Sequence, residues 1–371
     1  MNNGLEGVIA ASTAISHIDG INGRLFYLGI YIDELAAHST FEETASLLWY
    51  GSLPNKEQLE TYTQNFINNR QIPYEVLSLM MSMPKKTPPM EVLRTAISAL
   101  SPYDPDDLDN SLEANVHKSV RLTASMPTVI AAWERIRNNQ WPILPRNDLS
   151  HAANFLYMMT GKVPDPHSAK VLDTCLILHA DHGLNASTFA ARVTASSMSD
   201  LHSAIVSAIG TLKGPLHGGA NEQVMRMLLE IGNPERAEQH VKGLMNAKKK
   251  IMGFGHRVYK ADDPRAAWLQ RLSREHAETI GPKKWYEISE VIRKTVQDAK
   301  HLPVNVDFYS ASVYYSLGIP MDLFTPIFAI SRVSGWTAHV YEQYSDNRIY
   351  RPESEYIGPN DVKYVAIEQR P

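Results

Sequence analysis

Residues 186–210 read ASTFAARVTASSMSDLHSAIVSAIG. Alanine, serine, threonine and glycine supply 15 of these 25 positions, and the larger residues Val193, Leu201, Ile205 and Ile209 recur at near-helical intervals. Small side chains let helix backbones approach one another closely, and the spacing of the larger ones favours a buried face. We therefore expect a central helix here, buried among other helices, in preference to an exposed helix with small side chains.

Helical periodicity continues through most of the chain. Thr40 and Glu43 have the spacing of a capping box, and Gly51 suits a helix end. No alternation of strands with helices and no repeat period is present in the sequence. We predict an all-α fold of more than a dozen helices, and later helices are expected from Asn221, Glu235, Pro264, Lys284, Val306 and Asp322.

A short β-hairpin is the expected exception to the helical pattern. The turn dipeptides Asp19-Gly20 and Asn22-Gly23 lie between apolar residues near the N-terminus. Apolar runs on both sides of such turns indicate two antiparallel strands.

The composition is that of an ordinary globular protein. The chain has 371 residues, 44% of them hydrophobic, and a formal net charge of −4. Nucleic-acid-binding proteins normally carry a basic surplus, so this balance argues against that class. No stretch approaches the length of a membrane span, and the N-terminus lacks the pattern of a secretory signal or transit peptide, so we expect a cytoplasmic protein. The single cysteine, Cys175, excludes an intrachain disulfide framework.

The first polar segment of interest is His179-Ala-Asp-His182. His182 continues an apolar stripe at helical spacing, and Gly183 is suited to end that helix, so His182 is predicted at a helix C-terminus. A hydrogen-bonded core histidine is the plain alternative. A metal pair with His179 is less favoured, because no third histidine or cysteine lies nearby in the sequence.

A second histidine lies in a tight loop. His217 is surrounded by glycine and proline in KGPLHGGAN, residues 213–221, just before a predicted helix. The helix dipole at that position favours the neutral imidazole, which donates a hydrogen bond to a carbonyl that gains negative charge. The alternative is a loop histidine without a chemical role.

A third segment is basic and rich in glycine. His256 lies between Gly255 and Arg257, and five basic residues occur between Lys248 and Lys260. Such a segment suits an anionic ligand, for example the phosphate-bearing tail of a nucleotide, although the Walker pattern is missing. For the lysine run, a solvated helix end is an equally good explanation.

Two charged residues lie within apolar surroundings. Asp307 is flanked by Val306 and Phe308, and a partly buried carboxylate has a raised pKa that suits a general base. A helix N-cap is the alternative for Asp307. Arg332 lies in an apolar helix and requires an anionic partner, such as a substrate carboxylate. Together these segments indicate proton abstraction next to a carbonyl in an acidic substrate.

At these residues the sequence resembles the citrate synthase family. The string GFGHRVYKADDPR, residues 253–265, fits the family signature throughout, and the segments around His182, His217 and Asp307 follow in family order and spacing. The resemblance covers nearly the whole chain and is to the short bacterial type. It implies a transferase of the citric acid cycle that condenses acetyl-CoA with oxaloacetate and then hydrolyses citryl-CoA.

The resemblance also implies residue roles. Asp307 would take a proton from the acetyl methyl group, His217 would hydrogen-bond the thioester carbonyl, and His256 would polarise the oxaloacetate carbonyl. Oxaloacetate or citrate would be bound by His182, Arg265, Arg332 and Arg351. Coenzyme A would contact Ile251, Met252, Gly253, Phe254, Gly255 and Lys260.

The family architecture is a homodimer in which the residue matching Arg351 reaches the neighbouring site. It implies a large helical domain of residues 1–217 and 318–371 and a small domain of residues 218–317 that closes over the substrates. The substrates oxaloacetate and acetyl-CoA are the expected partners, with no nucleic acid and no membrane. No metal and no cofactor are expected, since the CoA thioester is itself a substrate.

One departure and three alternatives accompany this interpretation. The family commonly has glutamate after the position of His182, where this chain has Gly183. A 2-methylcitrate synthase that uses propionyl-CoA would share all of these residues. A catalytically silent scaffold is a remote alternative, and so is a helical metalloprotein that uses His179 and His182.

Overall fold

The computed structural model describes residues 3–5, 7–255 and 258–371. Within them the fold comprises sixteen α-helices and one three-stranded sheet, which confirms the predicted all-α class. The strands are β1 Ser16–Asp19, β2 Arg24–Tyr27 and β3 Ile30–Tyr31. The helices are α1 Ile32–His38, α2 Phe41–Tyr50, α3 Lys56–Asn68, α4 Tyr74–Ser82, α5 Pro89–Leu100, α6 Leu112–Arg137, α7 His151–Thr160, α8 Pro166–His179, α9 Ala186–Ser196, α10 Leu201–Leu212, α11 Ala220–Ile231, α12 Pro234–Asn246, α13 Pro264–Thr279, α14 Lys284–Lys300, α15 Val306–Ser316 and α16 Phe324–Ser345.

The small-residue stretch forms two helices, so the prediction of a single central helix is wrong. The chain breaks after α9, where Met198 adopts a left-handed backbone conformation with φ of 64°. Asp200 then caps α10, because its Oδ1 accepts a hydrogen bond from the Ser203 backbone N–H at 2.7 Å. α9 and α10 pack on each other and on α16. Four of their six alanines are buried, as expected for close helix approach: Ala191, Ala195, Ala204 and Ala208.

The core is centred on α16, which is buried over most of its length. It packs on α2, α6, α8, α9 and α10, with Trp336 fully buried. The later helices α11 to α15 pack largely on one another. This grouping is compatible with a small domain of residues 218–317, and the domain division remains a prediction. Among the described helices, none combines the length and the apolar character that a bilayer span requires.

The predicted hairpin is present, with β3 as a third antiparallel strand. Its β1–β2 turn rests against the segment of residues 258–262. The Lys260 backbone N–H donates to the Gly20 carbonyl oxygen at 2.8 Å. A Cβ atom on Gly20 would lie 2.4 Å from the carbonyl oxygen of Val258, and one on Gly23 would lie 2.5 Å from that of Asp262. The turn therefore requires glycine at both positions to make this contact.

We expect Gly20→Ala to lower the free energy of unfolding by about 1–3 kcal/mol, because the added methyl group must push the backbone of Val258 away. Gly243→Ala is the matched control: Gly243 lies in α12 with open space around it. The control should be neutral or stabilising by about 0.5–1 kcal/mol, the usual gain from alanine in a helix. Denaturant unfolding of both variants measures the difference, and equal stabilities would contradict the close contact.

Candidate active site

The loop between α8 and α9 carries His182. α8 ends at His179, so the prediction of His182 at the end of this helix is wrong. The end is fixed by side chains that satisfy the last carbonyl groups: Arg332 Nε donates to the His179 oxygen at 2.7 Å, and the Tyr27 hydroxyl lies 3.2 Å from the Ile177 oxygen. His182 is buried in the loop, and its Nε2 is 3.2 Å from the Tyr259 hydroxyl.

A buried carboxylate, Asp181, holds this loop in shape. It accepts hydrogen bonds from the Ser16 hydroxyl and from the Gly183 backbone N–H, and its side chain lies 3.3 Å from His339 Nε2. Burial by itself would raise the pKa of Asp181, but His339, Arg332 and the Ser16 hydrogen bond hold it below the usual value. The loop is therefore organised around an ionised carboxylate that accepts hydrogen bonds from the loop backbone and from the first strand.

His217 lies in the loop before α11, just ahead of the N-cap Gly219. Its Nε2 accepts a hydrogen bond from the Ser187 backbone N–H at 3.3 Å and lies 2.8 Å from the Ser187 hydroxyl. Because a backbone N–H only donates, Nε2 carries the lone pair, and the proton of the neutral ring is assigned to Nδ1. Burial first, and the charge of Arg332 second, lower the pKa of His217 to about 4. The neutral ring expected from the sequence is thus explained mainly by burial.

Asp307 lies in the first turn of α15. The N-cap of this helix is Asn305, whose side-chain oxygen accepts from the Asp307 backbone N–H at 3.0 Å, so the N-cap alternative for Asp307 is wrong. Removal from water raises the pKa of Asp307 to about 6, although the charge of Arg265 opposes this shift. Such a carboxylate is ionised at neutral pH and is a stronger base than an ordinary aspartate.

Two guanidinium groups are buried beside these residues. Arg265 makes a two-pronged ion pair with Asp263, at 2.9 Å through Nε and 2.8 Å through Nη2, and its Nη1 has no hydrogen-bond partner among the described residues. Arg332 lies over the Phe328 ring, 4.5 Å from its centroid, and its Nη2 likewise lacks a described partner. Burial lowers the pKa of Arg332 to about 10, which leaves it charged at neutral pH. Two unpartnered cationic nitrogens form a suitable site for an anionic ligand.

The structure brings four of the predicted site residues close enough for their charges to interact. The charges of Arg265 and Arg332 both act on Asp307, and that of Arg332 acts on His217. Arg351 is not part of this group: it is exposed on the segment after α16 and makes no hydrogen bond or ion pair with the described residues. The predicted catalytic residue His256 lies outside the described residues.

The predicted coenzyme A loop is attached to the segment that leads into α15. The Gly255 N–H donates to the Pro303 oxygen at 2.8 Å, and the Asn305 N–H donates to the Gly253 oxygen at 2.9 Å. Phe254 packs on Phe308, with ring centroids 4.8 Å apart. The loop is therefore joined by backbone hydrogen bonds and a ring contact to the start of the helix that carries Asp307. Of the other predicted contacts, Ile251 is buried, Met252 is half-buried and Lys260 is exposed.

Sequence reasoning missed several residues that hold the site. Ser187 contacts His217 from 30 positions away, and its hydroxyl accepts a hydrogen bond from Trp336 Nε1 at 3.1 Å. No local sequence pattern indicates a contact between residues so far apart in the chain. Asp263 could have been selected from the sequence, because it lies two positions before Arg265 in the basic segment. In the structure it forms an ion pair with Arg265.

Comparison with known proteins agrees with this geometry. The family model described as "Citrate synthase, C-terminal domain" matches residues 4–353. The protein named citrate synthase 2 of Bacillus subtilis (strain 168) is 50% identical over 99% of this chain and 98% of its own length. The chain belongs to the citrate synthase family.

Two further matches bear on the activity. The citrate/2-methylcitrate synthase of Bacillus subtilis (strain 168) is 43% identical over 96% of each chain. A solved citrate synthase from Thermoplasma acidophilum, described as a ternary complex with carboxymethyl coenzyme A and oxaloacetate, has a TM-score of 0.94 and 32% identity over 100% of this chain and 99% of its own. The chain is therefore an enzyme of the citrate synthase reaction, which condenses acetyl-CoA with oxaloacetate in the citric acid cycle.

The pKa of Asp307 predicts the acid limb of the pH profile. If Asp307 must be ionised to act, kcat/KM for acetyl-CoA should fall about tenfold per pH unit below pH 6 and level off above it, since the pKa is raised to about 6. Steady-state assays between pH 4.5 and 8 measure this limb. A midpoint near 4, the value of an ordinary aspartate, would contradict the burial of the base.

Gly183 has a backbone φ of 58°, and a Cβ atom there would lie 3.3 Å from Ile18 Cδ1. We expect Gly183→Glu to lower the free energy of unfolding by about 1–2 kcal/mol, because side chains are disfavoured in this conformation, and to raise the Michaelis constant for oxaloacetate through movement of His182. Gly183→Ala separates backbone strain from the carboxylate. An unchanged Michaelis constant in Gly183→Glu would refute the link to His182.

Proposed function

We propose that Asp307, His217 and His256 carry out the condensation. Asp307 takes a proton from the methyl group of acetyl-CoA, while the Nδ1–H of His217 hydrogen-bonds the thioester oxygen as it gains charge. A neutral donor suits this step, because it stabilises the developing enolate without the ring having to take up a proton beforehand. The contact between Ser187 and Nε2, which directs the proton to Nδ1, carries this assignment.

Carbon–carbon bond formation follows at the oxaloacetate carbonyl. The enol carbon attacks that carbonyl carbon, and His256 supplies the proton for the new alkoxide. Water then cleaves the thioester of citryl-CoA, which releases citrate and coenzyme A. Neither a metal ion nor a cofactor is part of this proposal, because the proton transfers and the polarisation of both carbonyl groups are assigned to side chains.

Arg265 and Arg332 are proposed to bind the two carboxylates of oxaloacetate. Their unpartnered Nη1 and Nη2 atoms offer charged donors in a dry site, where such hydrogen bonds are strong. His182 is proposed as a further oxaloacetate contact. The complex of the Thermoplasma acidophilum enzyme with oxaloacetate and a coenzyme A derivative supports this ligand pair.

Closure and dimer formation complete the proposed cycle. Residues 218–317 would close over the substrates and exclude water, which protects the enol. Arg351 is proposed to serve the site of a second copy of the chain in a homodimer. Its exposure supports this role, as do the exposed apolar residues of the same segment, which include Ile349, Ile357, Val362 and Tyr364. We also propose a cytoplasmic location, because the chain resembles the short bacterial type of citrate synthase.

Acetyl-CoA is proposed as the preferred thioester. The relative at 50% identity is named citrate synthase 2, whereas the citrate/2-methylcitrate synthase of Bacillus subtilis (strain 168) is 43% identical. One methylene group in an apolar pocket is discriminated by only about 10–200-fold, so measurable turnover of propionyl-CoA is compatible with this preference.

Release of free coenzyme A tests the substrate preference. The purified protein is mixed with oxaloacetate and either acetyl-CoA or propionyl-CoA, and a thiol reagent follows the product. We expect higher kcat/KM with acetyl-CoA and a loss of at least about 100-fold in Asp307→Asn, the range for removal of a general base. Higher kcat/KM with propionyl-CoA would assign 2-methylcitrate synthesis to the same residues. No release with either thioester would favour the catalytically silent scaffold.

A further inference from the structure

A cluster of carboxylates lies where the α5–α6 connection meets the start of α10. Its members are Asp104, Asp106, Asp107, Asp109 and Asp200. Two cationic side chains face it. Arg121 pairs with Asp104 at 2.6 Å and with Asp106 at 2.5 Å, while Lys118 Nζ donates to the Asp109 backbone oxygen at 2.5 Å. With all five carboxylates ionised, an excess of negative charge remains.

The excess charge is concentrated at Asp107 and Asp200. Neither carboxylate pairs with a lysine or arginine among the described residues, although the charge of Lys118 acts on both from farther away. The Asp107 Oδ1 accepts from the Ser101 hydroxyl at 2.7 Å, and the two oxygens of Asp200 accept from the backbone and hydroxyl of Ser203. Each carboxylate oxygen has two lone pairs, so both retain acceptor capacity.

A buried histidine points into the same space. His202 has 3% of its side chain exposed, and its Nδ1 has no hydrogen-bond partner in the part of the chain that the structure describes. Nδ1 lies 3.5 Å from Asp107 Oδ1, and Nε2 lies 3.7 Å from Asp104 Oδ2. One potential ligand atom from each of Asp107, Asp200 and His202 lies within 4.8 Å of the others. A buried ring nitrogen without a partner, next to uncompensated carboxylates, is an arrangement that requires a ligand or a proton.

The separation of one pair of these atoms matches that of two metal ligands. Two ligands bound at about 2.1 Å in tetrahedral geometry are about 3.4 Å apart, close to the separation of His202 Nδ1 and Asp107 Oδ1. Asp104 lies on the opposite side of the ring, as the outer carboxylate commonly does behind a metal-bound histidine. A surface pocket that includes Asp104, Asp107 and Asp109 among its lining residues opens beside the cluster and gives access from solvent.

We propose that Asp107, Asp200 and His202 bind a divalent cation, with Zn²⁺ preferred over Mg²⁺ because one ligand is an imidazole nitrogen. This proposal departs from the sequence-based expectation that the protein holds no metal. The ion would join the α5–α6 connection to the N-terminus of α10. His217 follows the other end of α10, and twelve residues of helix span about 18 Å. The cation is therefore structural and takes no part in the condensation.

The competing explanation is a proton. An imidazolium at His202 between Asp104 and Asp107 would offset part of the negative charge without any metal. The two explanations differ in one measurable respect: only the first gives saturable binding of a cation that depends on both Asp107 and Asp200.

Calorimetric titration of the full-length protein with Zn²⁺, after dialysis against EDTA, tests the proposal. Asp200→Asn is the first variant, because asparagine caps a helix as well as aspartate does, so the cap is kept while the charge and one carboxylate oxygen are removed. Asp107→Asn is the second variant. Asp106→Asn is the matched control, since Asp106 lies in the same connection but pairs with Arg121.

We expect one Zn²⁺ site per chain that weakens at least tenfold in both test variants and persists in the control. The melting temperature should rise with Zn²⁺ in the wild type and the control, rise much less in Asp200→Asn, and respond little to Mg²⁺. Circular dichroism confirms that each variant is folded. Absence of saturable binding, or binding that is unchanged in both Asp200→Asn and Asp107→Asn, would overturn the proposal. The second result would place the ion elsewhere, for example on the histidines of the active site.

Discussion

Two positive charges are buried in this protein, and each has one guanidinium nitrogen without a hydrogen-bond partner among the described residues. Arg265 forms a two-pronged ion pair with Asp263, which does not involve its Nη1. Arg332 has weaker partners: the His179 oxygen, the face of Phe328, and the charges of Asp181 and Asp307. A buried charge without a full set of partners is costly. A dianionic substrate would supply the missing negative charge and hydrogen-bond acceptors. Binding of the substrate should therefore stabilise the folded protein.

Much of the surrounding structure positions these charges. The β1–β2 hairpin supports two segments next to the site. The Ser16 hydroxyl donates to Asp181 in the loop after α8, and the Gly20 carbonyl oxygen accepts from the Lys260 backbone N–H. α16 supplies Arg332 and approaches the loop after α8 so closely that a Cβ atom on Gly335 would lie 2.4 Å from the Ala180 oxygen. The β1–β2 hairpin thus contacts both the loop after α8 and the segment of residues 258–262, which are far apart in sequence.

The sequence predicted those features that depend on local patterns. The helix starts near Pro264 and Val306 follow from capping residues, and Asp307 and Arg332 were selected as charged residues within apolar runs. Prediction failed where distant contacts decide the outcome. α8 ends at His179 because Tyr27 and Arg332 take its last carbonyl groups, and neither residue is near it in the chain. The cluster of Asp107 and His202 joins residues from separate elements, so no spacing rule could have indicated it.

The most direct test of the central claim is the thermal stability of Arg332→Gln with and without oxaloacetate, measured beside the wild type. Removal of Arg332 eliminates an incompletely compensated buried charge but also the donor to the His179 oxygen. These effects oppose each other, so the melting temperature of the substrate-free variant should differ from that of the wild type by at most a few degrees. Saturating oxaloacetate should raise the melting temperature of the wild type and have little effect on the variant. A substrate-free variant that melts several degrees lower, but is still stabilised by oxaloacetate as strongly as the wild type, would contradict the account.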